Sequence, residues 1–138
     1  MKRAMLAACA FLVTAPLAFA AALPFASEKT QKGVVLTDAR GMTLYIFDKD
    51  SKGTSACYGE CAEDWPPFLA KAADAASGPY GLVTRKDGQK QWAFNGMPLY
   101  YWQDDTAKGQ ATGDGVGGVW HVVPTVQTAA GSTSGGSW

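Results

Sequence analysis

The chain has 138 residues, of which 47% are hydrophobic and 17% charged; 12 basic and 12 acidic side chains leave a net charge of zero. No basic run breaks this balance, which excludes an electrostatic footprint for nucleic acid or an anionic lipid surface. The length is that of one modest domain.

The N-terminus reads as an export signal. Lys2 and Arg3 supply a positive start, Ala4 to Leu17 is apolar and uncharged, and Ala18-Phe19-Ala20 is a small-x-small cleavage site. Residues 1–20 are therefore expected to be a signal peptide removed after Ala20. The apolar run is too short for a membrane anchor, so no transmembrane helix is expected after cleavage. Leu6-Ala7-Ala8-Cys9 has the letters of a lipobox, but most of the apolar run lies downstream of it, which is the wrong order for lipidation at Cys9. Cleavage removes Lys2 and Arg3 and leaves a faintly acidic chain, expected to be periplasmic or secreted.

Residues 21–125 are expected to form a single β domain, opening with a lead-in over 21–32 that has no clear pattern. Val34-Val35-Leu36-Thr37 is β-branched and apolar, Asp38-Ala39-Arg40-Gly41 is turn chemistry, and Thr43-Leu44-Tyr45-Ile46-Phe47 is the next strand. Cys57 and Cys61 are the two cysteines left after cleavage. In an exported protein such a pair suggests a disulfide. It closes a short loop, so its main effect is on local shape.

Residues 69–79 are Ala-rich and read as a turn or two of helix stopped by Ser77-Gly78-Pro79. A second set of strand signals follows. Leu82-Val83-Thr84-Arg85 leads to an Asp87-Gly88 turn, and Lys90-Gln91-Trp92-Ala93-Phe94 leads to an Asn95-Gly96 turn. Pro98-Leu99-Tyr100-Tyr101-Trp102 completes a meander, and Gly118-Val119-Trp120-His121-Val122-Val123 is a closing strand. Residues 126–138, mostly Ala, Gly, Ser and Thr, read as a disordered tail.

One pattern organises all of this. Gly41-Met42-Thr43-Leu44-Tyr45-Ile46-Phe47-Asp48-Lys49-Asp50 returns 55 residues later as Gly96-Met97-Pro98-Leu99-Tyr100-Tyr101-Trp102-Gln103-Asp104-Asp105, and the same offset carries Trp65 onto Trp120. The chain is expected to be mostly β: two pseudo-symmetric antiparallel repeats, about 33–67 and 82–123, packed as one small domain. Leu44 and Ile46 alternate with Tyr45 and Phe47, so these strands are buried on both sides or paired across a pseudo-twofold axis.

Several constellations are tested against chemistry. Cys57, Cys61 and His121 combine soft and borderline ligands suited to copper; the bland reading is a disulfide and a strand histidine. Asp48-Lys49-Asp50-Ser51-Lys52-Gly53 resembles the start of a calcium loop, but Lys52 places a cation in the ligand ring. Asp50 and Asp105 read better as strand-end caps that accept nearby backbone N–H groups. Gly113-Asp114-Gly115-Val116-Gly117-Gly118 satisfies G-x-G-x-x-G but leads into a strand instead of a helix, so it reads as a turn in the place of the disulfide loop. The aromatics at strand spacing read as core. No G-x-S-x-G and no H-E-x-x-H occurs, His121 is the single histidine, and no catalytic residue is assigned.

The doubled motif, carried by Tyr45, Phe47 and Asp50 and by Tyr100, Trp102 and Asp105, occurs with Cys57-Tyr58-Gly59-Glu60-Cys61-Ala62 and Trp65-Pro66-Pro67. Together these resemble the bacterial secreted repeat of unknown function, the family of predicted lipoproteins with a Yx(FWY)xxD motif. The resemblance covers about residues 33–123. It implies an exported bacterial protein with two repeats and no established activity; this chain lacks the family's well-placed lipobox cysteine. The reading that follows is an exported, non-catalytic binding or accessory module of the cell envelope. Its partner would be an envelope protein or a small ligand, and no cofactor is called for. The alternative is a periplasmic redox or copper accessory protein using the C-x3-C pair and His121.

Overall fold

The computed structural model describes residues 8–14 and 22–126. Signal cleavage at Ala18–Ala20 and the tail beyond Val126 lie outside the described residues. Cys9 lies within them, exposed and unpaired.

The domain is mostly β. In chain order the strands are β1 (Phe25–Thr30), β2 (Gly33–Asp38), β3 (Tyr45–Phe47), β4 (Tyr80–Thr84), β5 (Lys90–Phe94), β6 (Met97–Pro98) and β7 (Trp120–Val122), with a short helix α1 (Glu60–Asp64) between β3 and β4. Every strand pairing is antiparallel: β1 with β2, β3 with β7, β4 with β5, and β5 with β6. The β5–β6 hairpin turns on Asn95 and Gly96 at φ 49° and 85°, the pair of positive angles that a two-residue turn of this type demands.

Two local expectations need correction. The lead-in contains β1, whose partner is β2 in a six-residue register from Phe25 opposite Asp38 to Thr30 opposite Gly33. Its sequence hides it, because an edge strand with half-buried side chains carries no strong alternation. The Ala-rich stretch forms no helix. Ala70 N–H donates to the Lys90 carbonyl at 2.9 Å and Leu69 bridges Gln91, so the start of the stretch is already a strand. What remains before Ser77 is too short to nucleate a helix without an apolar face to pack.

The repeats are matched in three dimensions. Tyr45 N–H donates to the Tyr100 carbonyl at 2.8 Å, and Tyr100 N–H returns the bond to Tyr45 at 3.0 Å, so the two motif tyrosines straddle a pseudo-twofold axis. Around it, Tyr45 opposes Val122 while Tyr100 opposes Pro67. Leu36 donates to Val123 (2.8 Å) and accepts from Leu44 (3.0 Å); Trp92 donates to Phe68 (2.8 Å) and accepts from Leu99 (2.9 Å). The stretch from Leu36 to Leu44 is one residue longer than that from Trp92 to Leu99, and the wider Asp38–Met42 turn absorbs the difference.

These bonds reveal a reciprocal exchange. The last strand of the first repeat, around 66–70, lies against β5 and Leu99–Tyr101 of the second. The last strand of the second, around 120–125, lies against β2 and β3 of the first. Neither repeat completes its own sheet.

Two apolar clusters lie on opposite faces of the central strands, as the alternation in β3 requires. One joins three matched pairs, Leu36 with Trp92, Leu44 with Leu99, and Phe68 with Val123. The other gathers Tyr45, Tyr100, Phe47, Cys57, Trp65 and Trp120. A fourth matched pair, Phe25 and Tyr80, stacks at 4.1 Å between ring centroids.

Candidate functional site: the paired motif and the disulfide loop

The motif residues converge on the second cluster. Trp65 and Trp120 stack face to face at 3.8 Å and 4°. Phe47 covers the outer face of Trp120 at 4.1 Å, and Trp102, its match in the second repeat, covers Trp65 at 4.1 Å. The result is a column of four rings with the pseudo-twofold axis at its middle. Tyr45 meets Trp65 edge-on at 5.3 Å, and Tyr100 meets Trp120 edge-on at 5.2 Å. Such offset and edge contacts add to simple burial by about 0.5–1.5 kcal/mol each.

Each motif tyrosine reaches the carboxylate of the other repeat. Tyr45 Oη lies 2.5 Å from Asp105 Oδ2, and Tyr100 Oη donates to Asp50 Oδ2 at 2.7 Å. Both tyrosines are fully buried and the aspartates are under one-tenth exposed. The second oxygen of each carboxylate caps its own loop: Asp50 Oδ1 accepts Ala56 N–H at 2.7 Å, and Asp105 Oδ1 accepts Thr112 N–H at 3.0 Å and its hydroxyl at 2.7 Å. The spacing Tyr-x-x-x-x-Asp is thus one strand plus one cap, with the tyrosine bond closing the repeat interface. The capping role is legible in sequence; the crossed partner is not, because no local pattern records which repeat supplies the acceptor.

Burial pushes the Tyr45 hydroxyl far above its ordinary value, helped by its bond to Asp105. Burial and the Asp50 bond do the same to Tyr100, against Ser55. Both remain donors at any physiological pH. Burial also raises the Asp50 carboxyl, against the bonds from Ala56 and Tyr100 and the charge of Arg85.

The surroundings break the symmetry. Beside Tyr100, Arg85 is buried and donates to Gln91 Oε1 (2.8 Å), the Cys57 carbonyl (2.8 Å) and Ser55 Oγ (3.1 Å), while Tyr58 lies over its guanidinium at 4.3 Å. Gln91 Nε2 continues to the Leu99 carbonyl at 2.7 Å, and Ser55 Oγ lies 2.6 Å from Tyr100 Oη. Beside Tyr45 there is no counterpart of this network among the described residues. Gly113 N–H donates to Tyr45 Oη at 3.1 Å, and Gly113 is pressed between indoles: a Cβ there would stand 2.8 Å from both Trp102 and Trp65. A third link crosses the repeats. Tyr101 Oη donates to Asp38 Oδ2 at 2.8 Å, where Arg40 also binds, and Asp38 Oδ1 accepts Arg40 and Met42 N–H. Burial alone would raise Asp38, but the bonds from Tyr101, Met42 and Arg40 outweigh it and hold the carboxyl below the usual range.

Cys57 and Cys61 form a disulfide with Cα atoms 5.3 Å apart, and α1 begins inside its loop. The second repeat puts a turn of 3-10 helix, Val116–Gly118, in the matching place. The G-x-G-x-x-G run is that turn, followed by β7. His121 follows Trp120 on β7, so its side chain leaves the opposite face from the one that packs with Cys57. Its Nε2 lies 2.7 Å from Asp48 Oδ2 at the surface. Both sulfurs are bonded to each other, and no group of three or more His, Cys, Asp or Glu among the described residues could hold a metal ion. The calcium-like stretch is divided between two tasks, Asp48 pairing with His121 and Asp50 turning inward.

Sequence reasoning passed over Asp38, Ser55, Arg85 and Gln91. Asp38 and Arg85 stand at turns, where a charge ordinarily points to solvent, and nothing local marks them as buried.

Among the described residues no helix is long and apolar enough to cross a membrane. The family described as a secreted repeat of unknown function matches twice, over residues 27–68 and 81–124. Searches of the curated proteins and of the solved structures return no match. The two matches cover more than half of the chain, which therefore belongs to this family of secreted repeats.

Proposed function

We propose that this secreted-repeat protein is an exported, non-catalytic binding or accessory module of the bacterial cell envelope, released by cleavage after Ala20 into the periplasm or beyond. One domain spans residues 21–125. One observation carries the reading: the titratable groups of the doubled motif are buried and engaged with each other. Tyr45 faces Asp105 and Tyr100 faces Asp50, and no solvent-facing acid, base or nucleophile is left over from the motif. Such residues build a scaffold, and recognition then falls to the loops and rims that the scaffold fixes.

The test is a pull-down with the mature chain from envelope extract, with proteins and small molecules identified by mass. A partner retained in stoichiometric amount, and lost when the scaffold is unfolded, supports the module. Turnover of an envelope substrate that vanishes on neutralising one carboxylate would replace it with an enzyme. Thiol counting and copper analysis of native protein decide the redox or copper alternative: a free Cys57–Cys61 pair or one copper per chain would move the proposal there.

A further inference from the structure

The crossed strands make each repeat the natural partner of the other repeat in any copy of the chain. We propose that two molecules exchange repeats through the segment 71–79 to give a closed dimer, in which the first repeat of one copy is completed by the second repeat of the other. This goes beyond the module reading and does not depend on it.

Three observations lead here. First, the contacts between repeats are reciprocal and close on themselves: Tyr45 to Asp105 and Tyr100 to Asp50, Trp65 on Trp120, and each terminal strand in the opposite sheet. A two-copy exchange satisfies every one of them with no group left over, the condition for closure instead of open chains. Second, pairing of like repeats is disfavoured. Leu36 is matched by the bulkier Trp92, and the Arg85–Gln91–Ser55 network exists on one side only. Exchange therefore preserves the pairing of first with second repeat.

Third, the connection is loosely held and can be shortened below the length a monomer needs. Among the described residues, Lys71–Gly78 makes only local hydrogen bonds, Lys71 with Asp74 and Ser77 with Tyr80. A cavity of about 320 Å³ separates Ala73–Ser77 from Trp92 and Ala22–Pro24. The connection starts at Ala70, beside Lys90 on one side of β5, and ends at Tyr80, opposite Phe94 on the other side. It crosses two strand spacings and four positions along β5, about 17 Å in a straight line, and it must also pass over the face of the strand. Deleting Lys71–Ala76 would leave four peptide steps, a reach of at most about 14 Å. The monomer could no longer close, while two copies could.

The experiment uses the mature chain with Ile46→Cys and His121→Cys. These residues are directly opposed across β3 and β7, a geometry that an antiparallel pair shares with a disulfide. In the full-length background the new bond forms within one chain, and denaturing gels without reductant show monomer. With Lys71–Ala76 deleted, the expected result is a particle of doubled mass that keeps the near-ultraviolet signature of the stacked indoles. More than nine-tenths of its chains should be joined between copies by the 46–121 bond. As a measurement without deletion, refolding the unmodified chain near 1 mM should give at least a tenfold larger dimer fraction than near 1 μM. A folded monomer after deletion would overturn the proposal. So would a dimer whose 46–121 bond stays within each chain, or a deleted chain that remains unfolded together with refolding that yields monomer at both concentrations.

Discussion

The two halves of this molecule share a backbone plan and hold their tyrosines by different means. Around Tyr100 the support is polar and covalent: Arg85, Gln91, Ser55 and the carbonyl of disulfide-bonded Cys57 surround the Asp50 pair. Around Tyr45 the support is a short local cap and a steric fit: Thr112 donates twice to Asp105, Gly113 N–H donates to Tyr45, and the missing Cβ of Gly113 lets two indoles close over the loop. The difference teaches that the motif specifies the crossing contact and leaves the buttress free to vary. A repeat needs one Tyr, one Asp and one Trp at fixed spacing, and whatever fills the loop behind them need only exclude water.

Substitution at the axis should have the largest effect and should be symmetric. Trp65→Ala and Trp120→Ala are each expected to cost about 3–5 kcal/mol, with equal values within error by chemical denaturation. Unequal costs would show that one indole dominates and would break the equivalence of the halves.

Removing one hydroxyl should come next. Tyr45→Phe and Tyr100→Phe each leave a buried carboxylate short of a donor, at about 1.5–3 kcal/mol. The cost at Tyr100 should depend on pH. Asp50 already holds its proton more tightly in the folded than in the unfolded state, so its contribution becomes more favourable as pH falls from the folded value toward the unfolded one near 4. The cost of Tyr100→Phe should therefore shrink in acid, as Asp50 becomes neutral. Denaturation series at pH 7 and pH 4.5 check this, and a cost that grows in acid would refute it.

Steric and covalent buttresses can be removed one at a time. Gly113→Ala must shift an indole and is expected to cost about 1–3 kcal/mol, whereas Tyr58→Ala at the matched position should cost less, since that ring lies over Arg85 and Lys86 at the rim. Reducing the Cys57–Cys61 bond should cost about 2 kcal/mol, as expected for so short a loop, without uncoupling the halves.

Asp38 should give the smallest and most pH-specific effect. Its carboxyl is held low, so its stabilisation is present above the unfolded value near 4 and is lost as pH falls through the still lower folded one. Asp38→Asn should lower the melting temperature at pH 7 by a few degrees, and that cost should shrink steadily as the pH is taken below 4.

What could be read in advance follows from the range of the interactions. The duplication, the closing strand at Trp120 and the pairing of Cys57 with Cys61 are written in local spacing. Strand β1 was illegible because Phe25–Thr30 is an edge held by backbone bonds to β2 and not by an apolar stripe. The crossing of Tyr45 to Asp105, and of residues 66–70 into the opposite sheet, was illegible for another reason. Spacing within a repeat is identical whether a tyrosine bonds its own aspartate or its neighbour's. Arg85 was illegible because its partners, Ser55 and Cys57, lie far away in the chain.

The crossed strands also separate the continuity of the polypeptide from the continuity of the particle. A protease that nicks the exposed bridge between the repeats would sever the backbone and release nothing, because each fragment remains threaded through the other's sheet. Beyond the cytoplasm, where cleavage is common and repair is scarce, a protein built this way could be cut in two and still travel as one.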